Sequence, residues 1–99
     1  MFRKADYGKI LVPMVTPFKE DQSVDYDAAV SVAEKLIAEN KADSLILSGT
    51  TGEFHTMNFD ERVKLFQVMM EAVASRIPLI VGIGSASTIE AIALGKAAE

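Results

Sequence analysis

No cysteine and no tryptophan occur in this chain of 99 residues, which has one histidine and three prolines. Without cysteine there is no disulfide, no thiolate nucleophile and no cysteine–zinc site, a composition that suits a reducing compartment and makes the cytoplasm the expected location. The single histidine, His55, excludes a multi-histidine metal site. Beside a helix start it reads as a surface or capping residue, or as one contact to a ligand. Long apolar runs are also missing, and none approaches the roughly 18 residues of a membrane span. The amino-terminal segment carries Arg3, Lys4, Asp6 and Lys9 and no stretch of signal-peptide length, so neither a membrane nor export is expected. Positive charge is not in surplus. Ten Lys and Arg stand against 14 Asp and Glu, a net charge of −4. The basic residues are scattered from Arg3 to Lys96, without a cluster to neutralise a row of phosphates, and no nucleic-acid partner is expected.

What the chain does contain is a small core's worth of apolar residues, enough for one domain and too few for two. Three runs, residues 10–15, 45–47 and 79–83, are rich in leucine and β-branched residues and end in polar or glycine-containing sequence. They read as strands. None alternates polar and apolar residues, so both faces are expected to be covered, as in a parallel sheet flanked by helices. Parallel pairing requires crossovers, and helical periodicity supplies them. Tyr26, Ala29, Val30, Ala33, Leu36 and Ile37 follow a capping Asp25. Val63, Phe66, Met69, Met70 and Val73 follow Asn58 and Glu61, which are spaced as in a capping box, and Pro78 marks that helix's far side. Ser87 and Glu90 form a second box before Ile92, Leu94 and Ala97. This third helix runs to Glu99 without a Gly, Asn or Pro stop, and the expectation is a chain interrupted within a longer domain.

Strand starts recur at intervals of roughly 35 residues, and eight such units give the 250 or more residues of a TIM barrel. Rossmann-like and flavodoxin-like sheets also begin with βαβ units, and periodicity alone does not choose between them. In each, function lies in the loops after the carboxyl ends of the strands. The loop after the second strand, residues 48–55, carries Gly49 and Gly52, which let a backbone turn and approach a ligand. Thr50 and Thr51 there place hydroxyls beside backbone N–H groups. Such a loop suits a carboxylate or phosphate; it equally suits a tight strand-to-helix turn with capping hydroxyls. Gly82-x-Gly84-x-x-Ser87 is a partial dinucleotide fingerprint with serine for its third glycine, and a glycine-assisted bend accounts for it. Asp21-x-Ser23-x-Asp25-x-Asp27 has calcium-loop spacing but Tyr26 where that loop needs glycine, so carboxylates at a helix start account for it. No cofactor and no metal are expected.

Taken together, Val15-Thr16-Pro17-Phe18, Val24-Asp25, Leu47-Ser48-Gly49-Thr50-Thr51-Gly52-Glu53, Asp60-Glu61-Arg62 and residues 76–84 resemble a family of pyruvate-dependent aldolases. It contains dihydrodipicolinate synthase, N-acetylneuraminate lyase and 2-keto-3-deoxy sugar acid aldolases. The resemblance covers almost the whole chain and implies an α/β fold, a parallel βαβαβα segment forming the first three units of a (β/α)₈ barrel. Residues 1–99 would be the amino-terminal part of one incomplete domain. It also implies chemistry. Pyruvate forms a Schiff base with a lysine, and the resulting enamine attacks a small aldehyde. By resemblance, Thr51 binds the pyruvate carboxylate, Thr50 relays protons between two tyrosines, and Gly49 and Gly52 shape the pocket.

The lysine, tyrosines and carboxylate-binding arginine of the family have no counterpart here. The seven lysines, Lys9, Lys35 and Lys64 among them, read as lying before strands or on helices. The chain by itself is therefore expected to be an inactive piece of a lyase. Paired threonines favour the synthase of lysine biosynthesis, which condenses pyruvate with aspartate semialdehyde. Gly52-Glu53-Phe54 leaves open a sugar-acid aldolase or dehydratase; a neuraminate lyase, which usually has Ser-Thr at the threonine pair, is the other alternative within the family. Phe54, His55 and Ala86 depart from the lysine-inhibited pattern, which argues against lysine feedback. A homo-oligomer, a tetramer in the family, is implied. A reading from another class is a non-catalytic βα module that associates through its open sheet edges.

Overall fold

The computed structural model describes residues 6–73 and 76–99; Arg3 and Lys4 of the charged amino-terminal segment lie outside them. The chain alternates β1 (Leu11–Pro13), α1 (Tyr26–Ala38), β2 (Ser44–Leu47), α2 (Phe59–Val73), β3 (Leu79–Val81) and α3 (Thr88–Ala98), with a 3₁₀ turn at Phe54–Thr56. The strands form one parallel sheet in the order β1-β2-β3. Leu11 stands opposite Ser44, and Leu45 opposite Leu79.

Each helix starts where a side chain answers its free N–H groups. Asp25 accepts from the Ala28 N–H at 3.0 Å. Asn58 and Glu61 form a reciprocal box, Glu61 N–H to Asn58 Oδ1 at 2.8 Å and Asn58 N–H to Glu61 Oε1 at 2.9 Å. Ser87 accepts from the Glu90 N–H at 3.3 Å. Ala29 and Ala33, one turn apart on α1, are fully buried in the core that also holds Leu45 and Leu47, and α1 packs closely against α2. From α2 come Leu65, Phe66, Met69 and Val73, and from the central strand Leu45 and Leu47.

Several expectations need correction. Two strands are shorter than the apolar runs: β1 covers Leu11–Pro13 of residues 10–15, and β3 covers Leu79–Val81 of residues 79–83. Pro13 has no N–H for a ladder, a loss tolerated at a sheet edge. Only β2 is covered on both faces; in β1, Leu11 is exposed and Val12 half-buried, and Ile10 and Val15 beside it are exposed. Met70 is 58% exposed, whereas Leu65 and Arg62, absent from the periodicity reading, face inward. In α3 only Leu94 is buried, while Ile92 lies open. Lys19 belongs to the loop after β1, neither before a strand nor on a helix.

At the amino-terminal ends of the strands, the Asp43 carboxylate accepts the N–H groups of Lys9 at 2.8 Å and Ile10 at 2.9 Å. Those two bonds hold its pKa below the usual carboxylate value, because they favour the charged form. The stabilisation is therefore fully present above the unfolded carboxylate value of about 3.9 and is lost as pH falls through the lower folded-state value. In urea unfolding, the wild type should exceed Asp43→Asn in stability at pH 7, with the gap closing as pH drops below about 4. A pH-independent gap would show that the charge on Asp43 contributes nothing.

Candidate functional site

The loop leaving β2 is built around a residue that the sequence does not advertise. Ser48 takes a left-handed conformation, φ 58°, and is 1% exposed. Such a backbone is unfavourable for a residue with a Cβ by about 1–2 kcal/mol, so neighbours must hold it. The holder is Arg62, on the first turns of α2 and 1% exposed. Its Nε–H donates to Ser48 Oγ at 2.7 Å, and its terminal nitrogens donate to Gly84 O at 2.6 Å and Gly82 O at 2.8 Å. The Phe54 ring covers it, centroid 5.0 Å from the guanidinium carbon. Burial pushes the Arg62 pKa down and the Glu90 carboxylate pulls it back up. Arginine remains charged through such shifts.

These bonds explain why β3 ends early. The Gly82 N–H still donates to Leu47 O at 2.7 Å, but the carbonyls of Gly82 and Gly84 turn to Arg62 instead of extending a ladder. Gly82 also permits the closest contact in the site: a Cβ there would lie 2.5 Å from Ser48 O. Gly52 is buried against the segment that follows β1, where a Cβ would meet Thr16 Oγ1 at 3.0 Å and Met14 O at 3.1 Å. Gly49 has no such constraint, since its Cβ would meet only Ile46 Cγ2 at 3.8 Å.

Thr50 and Thr51 occupy the tip of this loop and are exposed. Carbonyls close the turn beneath them: Glu53 N–H donates to Thr50 O at 3.0 Å, and Phe54 N–H to Gly49 O at 3.3 Å. The structure thus brings Gly49, Thr50, Thr51 and Gly52 together at the carboxyl end of the central strand. His55, exposed, stands edge-on to Phe54 with centroids 5.7 Å apart. It lines a cavity of about 270 Å³ with Phe54, Met57, Arg62, Ser85 and Glu90, which includes neither threonine.

The remaining motifs are accounted for locally. Asp21 accepts from Ser23 Oγ at 2.6 Å and Ser23 N–H at 3.0 Å, and Asp25 caps α1. The Gly82 to Ser87 segment serves Arg62 and the cap of α3. Among the described residues no group of three or more His, Cys, Asp or Glu could hold a metal ion, and no helix is long and apolar enough to cross a membrane. Arg62 was named only within Asp60-Glu61-Arg62, and its buried role escaped sequence reasoning because a charged residue on an amphipathic helix ordinarily faces solvent. The available signal was its position three residues before Leu65 and four before Phe66, on the apolar stripe.

Parallel strands joined by helices, with a turn of small and hydroxyl residues at the carboxyl end of the middle strand, are the construction of α/β enzymes whose sites lie above the sheet. The chain belongs to the dihydrodipicolinate synthetase family, whose model matches residues 6–99. It is 44% identical over 95 residues to the 4-hydroxy-tetrahydrodipicolinate synthase of Thermosynechococcus vestitus, covering 95% of this chain and 32% of that protein. Among solved structures it is similar to N-acetylneuraminate lyase from Mycoplasma synoviae (TM-score 0.87, 33% identity), covering 96% of this chain and 33% of that one. It is also similar to the chloride-inhibited dihydrodipicolinate synthase from Acinetobacter baumannii complexed with pyruvate (TM-score 0.85, 35% identity), covering 94% and 32%. The chain therefore spans about a third of the length of these relatives. Its βαβαβα segment is the first three units of a TIM barrel, which sets aside the Rossmann-like and flavodoxin-like continuations.

The close approach at Gly82 separates the glycines by role. Gly82→Ala should cost roughly 1–3 kcal/mol in urea denaturation, because Ser48 O has no room to retreat. Gly49→Ala should stay within about 0.5 kcal/mol of wild type. Equal losses would show that the two loops separate freely.

Proposed function

We propose that residues 1–99 form the amino-terminal part of a single TIM-barrel domain and supply the pyruvate-carboxylate loop of a Schiff-base synthase. The reaction is that of 4-hydroxy-tetrahydrodipicolinate synthase, condensation of pyruvate with aspartate semialdehyde through a lysine imine. What carries this reading is the Gly49-Thr50-Thr51-Gly52 turn, which exposes its two threonines at the carboxyl end of β2, in a chain of this family. Thr51 binds the carboxylate through its hydroxyl and backbone N–H, a charge-assisted pair of bonds. Thr50, its neighbour, passes protons, and Gly49 and Gly52 shape the floor. The protein works in the cytoplasm as a homo-oligomer.

The imine is contributed from outside these residues. Among the described residues the lysines, Lys9, Lys19, Lys35, Lys41, Lys64 and Lys96, are all exposed, and none is withdrawn from water in the way that makes a side-chain amine nucleophilic. The chain alone gives no turnover. The similarity to N-acetylneuraminate lyase, at a TM-score of 0.87, supports a second reading, aldol cleavage or sugar-acid chemistry on the same pyruvate unit.

Titrating pyruvate into the chain while following amide resonances tests the loop. Thr50 and Thr51 should shift, and Thr51→Val should weaken the response on the order of tenfold, the loss of one charge-assisted hydrogen bond. Silent threonines at saturating pyruvate would remove the assignment. Borohydride added with pyruvate should leave the intact mass unchanged, and an adduct would overturn the argument from the lysines.

A further inference from the structure

We propose that Arg62 is the positioning residue of the pyruvate-carboxylate loop, holding Ser48 in its left-handed conformation so that Thr50 and Thr51 face the ligand together; this rests on the reading of that loop given above. The guanidinium touches both strand ends. Nε–H reaches the Ser48 hydroxyl on the β2 side, and the terminal nitrogens reach the Gly82 and Gly84 carbonyls on the β3 side, all within 2.8 Å. Phe54, which follows the turn, closes over the guanidinium plane. A cation 1% exposed has no water to return to, so the three acceptors must stay where the rigid fork needs them. Ser48 cannot relax to an ordinary backbone without breaking the Nε bond, and Thr50 lies two residues beyond it. Lysine would keep the charge but could not span three acceptors in a fixed plane.

The two ends of the loop report on this directly. Glu53 and Phe54 donate to Thr50 O and Gly49 O, and Gly82 donates to Leu47 O, so their amides are shielded only while the loop keeps its shape. Asp43 and Ala29 donate to Ile10 O and Asp25 O, away from Arg62, and report on the rest of the fold.

Hydrogen exchange and pyruvate titration on the full chain, wild type against Arg62→Lys, Arg62→Met and Ser48→Ala, test the proposal. Arg62→Lys and Ser48→Ala should speed exchange at Glu53, Phe54 and Gly82 on the order of tenfold, the loss of a bond to a charged donor, with Asp43 and Ala29 unchanged. Pyruvate response should weaken in parallel. Arg62→Met, which strands three acceptors, should do the same more strongly, and if it fails to fold the other two variants still decide. Exchange that rises equally at all five amides would mean that Arg62 acts on general stability only, and no local change would mean that the loop holds itself; either overturns the proposal. A wild type that ignores pyruvate while the exchange pattern appears as expected would remove the ligand assignment and leave Arg62 as the determinant of loop shape alone, overturning its role toward pyruvate.

Discussion

A buried guanidinium is costly to remove from water, and the fold offsets that cost at one place only, between the carboxyl ends of β2 and β3. Arg62 stands at the amino-terminal end of the stripe that continues through Leu65, Phe66, Met69 and Val73. The rotation of α2 that buries those apolar residues also drives the guanidinium against Ser48, Gly82 and Gly84. That rotation is indexed by the start of the helix, where Asn58 and Glu61 cap each other. Cap, helix phase, buried cation and loop shape thus form one causal sequence, running from local hydrogen bonding to the presentation of two threonines.

The opposite end of the sheet is held differently. Asp43 gathers the Lys9 and Ile10 N–H groups, and the Ser44 hydroxyl donates to Tyr7 O at 2.6 Å, so the segment entering β1 is anchored to the start of β2. These are exposed or half-buried contacts that secure backbone and carry no apolar load. The helices add a surface pair, Arg76 with Glu34, which bridges α1 to the segment after α2 and contributes little by itself. Anchorage at the amino-terminal ends of the strands and display at the carboxyl ends match the division of labour in barrels, where stability and function occupy opposite faces.

Element order, the parallel sheet and the three caps were legible because each rests on a local pattern: apolar runs, helical spacing, and Asp25, Asn58 and Ser87 at their starts. Strand ends were not, because β1 stops at Pro13, which has no N–H for a ladder, and β3 stops where Arg62 captures two carbonyls. Of the candidate site, the position of the Gly49 to Gly52 turn was legible and its support was not. Composition gives no hint that Ser48 is left-handed or that Gly82, 34 residues on, is the glycine that the turn leans against. Coverage of both sheet faces was expected from the absence of alternation; β2 has it, whereas the apolar residues of the two edge strands are only half covered by these three units.

Strand order equals chain order, β1-β2-β3, and the paired residues Leu11 with Ser44 and Leu45 with Leu79 are separated by almost the same length of chain. Loop-closure entropy depends only on the logarithm of that length, so docking the third strand costs the same as docking the second. No strand has to be inserted between two that are already paired. Assembly can therefore begin at either junction and spread to the other, giving a folding route that is modular and indifferent to direction, with β2 as the template common to both nuclei.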